Sequence, residues 1–203
     1  MTLNLEKNRT MLVMSDHQND LCHPEGKFSA ANFPQEVQRR GVLSNTKKLL
    51  AAFRDMNLPL AHVQVLFRPE HLGNCDNFPL FLMARQSGAM VEGSWGAQIH
   101  DDVAPLPGEI VVTKRRISGF YGTELDNVIK SFNVTTVVFT GVVTTFSVEG
   151  TVRHGADMGY DCVVAEDCCS TGSEDEHQSS LRTMAFLARI SNSDEILEAL
   201  QKG

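Results

Sequence analysis

Three polar residues stand where apolar runs give way to polar clusters: Asp16 in SDHQND, Lys114 in TKRRISGF and Ser147 in GVVTTFSVEGT. A carboxylate drawn partly out of water can act as a general base or acid, because desolvation raises its pKa. Asp16 taken alone reads equally well as a loop carboxylate capping local backbone amides. An ammonium at Lys114 can hold such a carboxylate ionised, lower a nucleophile's pKa, or bind a substrate carbonyl or carboxylate. Its neighbours Arg115 and Arg116 read as a solvated basic cluster. Ser147 falls at the first turn of a helical pattern, where free N–H groups and the positive end of the dipole can cradle an oxyanion. It can also be a plain helix cap, a role open to Thr144 and Thr145 as well.

Bringing these residues together requires strands that end at them. RTMLVMSD, Arg9–Asp16, is a short apolar run and predicts a buried strand with Asp16 at its carboxyl end. Apolar residues at helical spacing predict an amphipathic helix over Val37–Asn57. LPLAHVQVLF, Leu58–Phe67, is a second strand, and Glu109–Thr113 a third that ends at Lys114. The β-branched run VTTVVFT, Val134–Thr140, predicts a central strand leading into Gly141–Ser147. Helices are expected over Thr123–Ser131, 145–159, Glu174–Leu187 and Asp194–Gln201, with strands at Asp161–Glu166 and Ala188–Ser191. This alternation implies an α/β fold: a three-layer α/β/α sandwich around a mainly parallel, Rossmann-like sheet of about six strands. Ligands in such folds sit beyond the carboxyl ends of the strands, which is where all three residues fall. Residues 68–108 are Gly- and Pro-punctuated and irregular, and a connection that long usually covers a site.

Composition narrows the function classes. The 203 residues, 42% hydrophobic and 21% charged, suffice for a single globular domain over 1–203 with a full core. A net charge of −7 and the lack of a basic–aromatic stripe argue against nucleic acid as a partner. No run of apolar residues is long enough to span a membrane, and no signal peptide is visible. The five cysteines are odd in number and form no CxxC pair, which points away from a disulfide framework or structural zinc and towards a reducing cytoplasm.

The three clusters together resemble the motifs of the isochorismatase-like hydrolase superfamily, the cysteine hydrolases. Asp16-His17-Gln18-Asn19-Asp20 resembles a D-x-Q-N-D motif. Lys114, Ser118, Phe120, Gly122, Thr123 and Leu125 are similar to K-x-x-x-S-x-F-x-G-T-x-L. Gly141, Val142, Thr144, Ser147, Val148 and Thr151 are similar to G-V-x-T-x-x-C-V-x-x-T. The likeness runs from about residue 9 to residue 197, and three motifs in order are specific where each alone is weak. It implies a catalytic triad at Asp16, Lys114 and position 147, and a non-proline cis peptide joining Val142 and Val143 that aims a backbone N–H at the oxyanion. It also implies a small-molecule substrate and a homodimer or homotetramer. Gln18, Trp95, Phe120, Tyr121 and Phe146 are the candidate substrate contacts, with core packing the alternative for the aromatic ones. Nicotinamidases share the fold but carry an Asp–x–His metal motif after the second strand. HVQVLFRPEH has His62 and His71 without that spacing, so no metal and no cofactor are expected, and nicotinamide is not the expected substrate.

Position 147 departs from the resemblance, with Ser where the cysteine hydrolases have Cys. A thiol with a pKa of about 8.5 is within reach of an Asp base and a neighbouring Lys, whereas a serine hydroxyl is several units less acidic. Three readings stay open: an introduced Cys→Ser change, a native serine in a branch that uses Asp16 as general acid on a vinyl ether, or a binding module without activity. Isochorismate, as a dianion, would need cations, for which Arg68, Arg85 and Arg116 are candidates. GFYGTELD looks more like the amidohydrolase branch, which favours the C–N bond of an amide, ureido or carbamoyl compound.

Overall fold

The computed structural model describes residues 3–72 and 77–202. Cys75 lies outside the described residues. In chain order the elements are β1 (Thr10–Ser15), α1 (Asn19–Cys22), α2 (Phe33–Arg39), α3 (Val42–Asp55), β2 (Leu60–Val65), α4 (Pro79–Ser87), β3 (Ile110–Lys114), α5 (Leu125–Ser131), β4 (Thr136–Val142), α6 (Glu149–Asp157), β5 (Asp161–Ser170), α7 (Glu174–Met184), β6 (Arg189–Ser191) and α8 (Ser193–Lys202).

The six strands form one sheet in the order β3-β2-β1-β4-β5-β6, and every pairing is parallel. The chain therefore moves outward from β1 to β3, returns to lay β4 against β1, and moves outward the other way. A crevice opens where the order reverses, between the carboxyl ends of β1 and β4. Both strands are buried along their whole length, as their uninterrupted apolar and β-branched sequences require. Alternate side chains of β1 serve opposite faces. Met11 and Val13 pack with Ile129, Val152 and Met184 of α5, α6 and α7. Leu12 and Met14 pack with Leu49, Phe53 and Leu200 of α3 and α8. Burying each such side chain contributes about 1.5–3 kcal/mol.

Four local features differ from the periodicity. The helix expected over Val37–Asn57 is two, broken at Gly41, whose φ of 66° lies in the left-handed region that ends helices. β5 continues to Ser170 rather than stopping at Glu166, because a register shift opposite Phe139 and Gly141 absorbs extra residues. The helix after β4 begins with a π-turn over Thr144–Val148 before α6 starts. The 68–108 connection contains α4, which begins at Pro79 and is closed by left-handed Gly88.

That connection is tied to the sheet at two points. Gln18 forms an antiparallel bridge to Ile99, and Phe67 a parallel bridge to Val91. A third apolar cluster fills the space beneath it, where Phe28, Phe33, Phe67 and Phe81 meet Val142 and Val143 at the end of β4.

Candidate active site

Asp16 is one residue beyond β1, at a φ of 57°, and its N–H donates to the Val63 carbonyl at 2.8 Å. The left-handed turn is one that Asp tolerates better than most side chains. Lys114, the last residue of β3, sends its side chain across the end of β2. Its Nζ lies 2.7 Å from Asp16 Oδ2, donates to Ser147 Oγ at 2.7 Å, and donates to the Ile117 carbonyl at 2.7 Å. Those contacts match the three donors of an ammonium. Asp16, Lys114 and Ser147 are each at most 5% exposed.

Two effects compete at Asp16. Burial raises its pKa, the Lys114 ammonium lowers it, and burial wins, so the carboxyl sits above its ordinary value. Its second oxygen, Oδ1, is buried without a hydrogen-bond partner. The site thus holds a carboxyl biased towards protonation beside a hydroxyl, both on one cation.

Ser147 lies in the π-turn, and its carbonyl accepts from Thr151 Oγ1 at 2.6 Å. Thr151 Oγ1 in turn accepts the Gly119 N–H at 2.9 Å, joining the Lys114 and Ser147 loops. The Val142–Val143 peptide is cis. Just beyond it, Thr144 Oγ1 is 2.9 Å from His177 Nδ1 of α7, and Thr145 Oγ1 is 3.0 Å from Thr171 Oγ1. These supports of the Ser147 loop went unrecognised in the sequence. Only the fully buried setting of His177 reveals its part, and that setting depends on the packing of α7.

A cavity opens over the three residues and is lined by all of them. Val142, Val143 and Phe146 line it, as does Arg116. Arg68 and Arg85 do not. Gln18, Trp95, Phe120 and Tyr121 lie off its walls, for separate reasons. Gln18 is fully buried and spends its amide on the backbone: Nε2 donates to the Val65 and Ala97 carbonyls, and Oε1 accepts the Val65 N–H. Trp95 is 46% exposed and meets His23 edge-on. Phe120 is core, stacked on Tyr160, and Tyr121 is 62% exposed. Phe28, Phe33, Phe67, Phe81 and Met90 are further parts of the wall. Their signal in the sequence was only a scatter of aromatics after β1 and β2, without a period to group them.

His62, within β2, and His71, beyond it, have other partners. His62 Nε2 is 3.0 Å from Glu109 Oε2, and the His71 ring lies 4.9 Å from that of Phe67.

Asp20 also holds the pocket wall, and Asn19 holds the segment behind it. Asn19 Nδ2 donates to the Trp95 carbonyl at 3.0 Å. Asp20 accepts the Lys27 N–H at 3.1 Å and the Met90 N–H at 2.8 Å. A Cβ at Gly96 would overlap the Asp20 carboxylate, so glycine there lets the two segments close.

Comparison with known proteins shows the family. Residues 10–195 match the family profile of the Isochorismatase domain. The chain is 32% identical over 191 residues to the ureidoacrylate amidohydrolase of Methylobacterium radiotolerans, covering 87% of this chain and 73% of that protein. It is 30% identical over 208 residues to the ureidoacrylate amidohydrolase of Pseudomonas syringae pv. syringae, covering 95% and 84%. Its fold matches the crystal structure of a cysteine hydrolase from Pseudomonas syringae pv. phaseolicola, with a TM-score of 0.86, 21% identity, and coverage of 98% of this chain and 96% of that one. With the profile spanning most of the chain and the identity extending over most of both partners, the chain belongs to the isochorismatase family of hydrolases.

Proposed function

We propose that the chain is an amidohydrolase that cleaves the C–N bond of a small amide or ureido compound at Asp16, Lys114 and residue 147. The observation that carries this is the Lys114 ammonium, which touches Asp16 Oδ2 and Ser147 Oγ at 2.7 Å each on the floor of the cavity. Asp16 takes the proton from Oγ as the Oγ–C bond forms at the substrate carbonyl. The backbone N–H groups of Val143 and residue 147 receive the developing oxyanion, with Lys114 adding positive charge beside them. The proton on Asp16 then passes to the leaving nitrogen as the C–N bond breaks. Water, deprotonated by Asp16, hydrolyses the acyl-enzyme and regenerates the hydroxyl. Serine performs the first step poorly, because a carboxylate is a weak base for an alcohol.

Ser147→Cys is therefore expected to raise ammonia release from a panel of small amides and ureido compounds by about 10²-fold or more, as a thiolate forms far more readily. Asp16→Asn in that background should return release to the baseline. No gain from Ser147→Cys across the panel would remove the amide reading, and full activity in Asp16→Asn would remove this site.

The raised pKa of Asp16 favours a second reading, in which the protonated carboxyl is a general acid on a vinyl ether and Ser147 forms no bond. We further propose that residues 1–203 work as one domain in the reducing cytoplasm, and assemble as a homodimer or homotetramer. Cys22, Cys162, Cys168 and Cys169 are buried free thiols, which supports the compartment. Phe186 is 90% exposed beside the 40% exposed Leu187, which supports the assembly.

A further inference from the structure

We infer that the cavity selects an amide whose carbonyl carries an uncharged apolar body, aliphatic or aromatic, over a polar ureido acid. This deepens the amidohydrolase reading and rests on it for the position of the scissile bond. The wall over the site is built from Phe28, Phe33, Phe67, Phe81, Leu80 and Met90. Contacts among the rings hold it in shape: Phe67 meets Phe81 edge-on at 5.2 Å, and Phe28 lies 6.0 Å from Phe33. Asp16 and Lys114 lie together on the floor, where Lys114 already serves Asp16, Ser147 and the Ile117 carbonyl. Arg116 is on the wall, with Nη1 donating to the Arg115 carbonyl at 2.6 Å.

The scissile amide needs polar contacts, and the floor supplies them. Beyond the carbonyl the substrate meets mainly aromatic and aliphatic carbon, with Arg116 the charged side chain on that wall. A methylene buried there gains about fourfold in affinity. A second ureido nitrogen or a carboxylate seated against that carbon, away from Arg116, loses its water without a matched partner, at a cost of roughly tenfold or more. The two effects act in the same direction, so an apolar body wins.

The test is calorimetric binding of acetamide, butanamide, hexanamide, phenylacetamide and N-carbamoyl-β-alanine to the full chain, with ammonia release by the Ser147→Cys variant measured on the same compounds. Affinity should climb about fourfold per methylene from acetamide to hexanamide, and N-carbamoyl-β-alanine should bind at least about tenfold more weakly than hexanamide. Leu80 is half-buried at the wall, and Leu80→Asn should lower hexanamide affinity more than acetamide affinity. A flat series, no binding by any member, or tighter binding of the ureido acid overturns the inference. The binding gradient without ammonia release from any compound would support the apolar pocket while removing the amidohydrolase reading. Ammonia release fastest from the ureido acid would do the reverse.

Discussion

Lys114 joins the acid and the hydroxyl of the site through one nitrogen, which makes the protonation of Asp16 the variable that decides its chemistry. Burial holds that carboxyl above its ordinary pKa despite the ammonium beside it. The two readings of the site then predict opposite pH profiles. An Asp16 base must be ionised, so kcat/KM for amides should rise with pH through a pKa displaced upward from 3.8. An Asp16 acid must be protonated, so cleavage of a vinyl ether should fall through the same pKa. A pH–rate profile on each substrate class distinguishes them, and a profile flat through the acid range would remove Asp16 from both. Lys114→Met is expected to abolish amide cleavage, since it leaves the buried carboxyl without the counter-charge that holds it ionised. Activity retained in Lys114→Met would show that the ammonium is not needed.

At the scale of elements, the segment Gln18–Asp20 acts as a staple. Its side chains bond to the backbone at Val65, Ala97, Trp95, Lys27 and Met90, and so clamp the 68–108 connection onto the end of the sheet. Asp20→Ala leaves two backbone N–H groups without their acceptor, and an unmet buried donor costs about 1–3 kcal/mol. The variant should therefore unfold at lower denaturant and show a raised KM with a smaller change in kcat, because Met90 is wall and not reacting group. A fall in kcat alone would contradict this. Gly141 is a second constrained point. Its φ is 151°, and a Cβ there would overlap the Ser15 carbonyl on the neighbouring strand. Gly141→Ala should part β1 from β4 where the crevice opens, losing stability and activity together. Urea unfolding and activity unchanged in that variant would rule out the close approach.

For the whole molecule, acid stability has a definite sign. Burial, aided by the charge of His62, pushes His17 from 6.5 down to about 3. The unfolded chain then binds a proton that the folded chain refuses, so stability falls as pH drops below 6.5. The slope is about 1.4 kcal/mol per pH unit for one such group. Asp16 works in the opposite direction, because its raised pKa makes the folded chain the better proton acceptor above 3.8. Comparison with His17→Gln isolates the histidine: between pH 6.5 and pH 4.5 the unmodified chain should lose more stability than the variant. Parallel profiles would mean that His17 is not held neutral. Light scattering addresses the proposed assembly, for which a dimer or tetramer is expected and a monomer mass would refute it.

The alternation of apolar runs with helical periods was enough to place Asp16, Lys114 and Ser147 at strand ends, because burial on both faces of a parallel sheet writes itself into each strand's own residues. It was enough for the layered class and for the family, since both depend on local pattern and motif order. Apart from Val142, Val143 and Phe146, the pocket wall was not legible. Gln18 and Trp95 stood in promising places, yet one is consumed by backbone bonds and the other faces solvent. Phe28, Phe67 and Phe81 come from separate segments and meet only when the long connection folds back. The strand ends at Asp16 and Lys114 are fixed by neighbours in the chain, so a sequence carries them, whereas the end of β5 depends on its pairing with β4. Cavity walls are fixed by which distant segments share a space, and that is decided only when the tertiary structure closes.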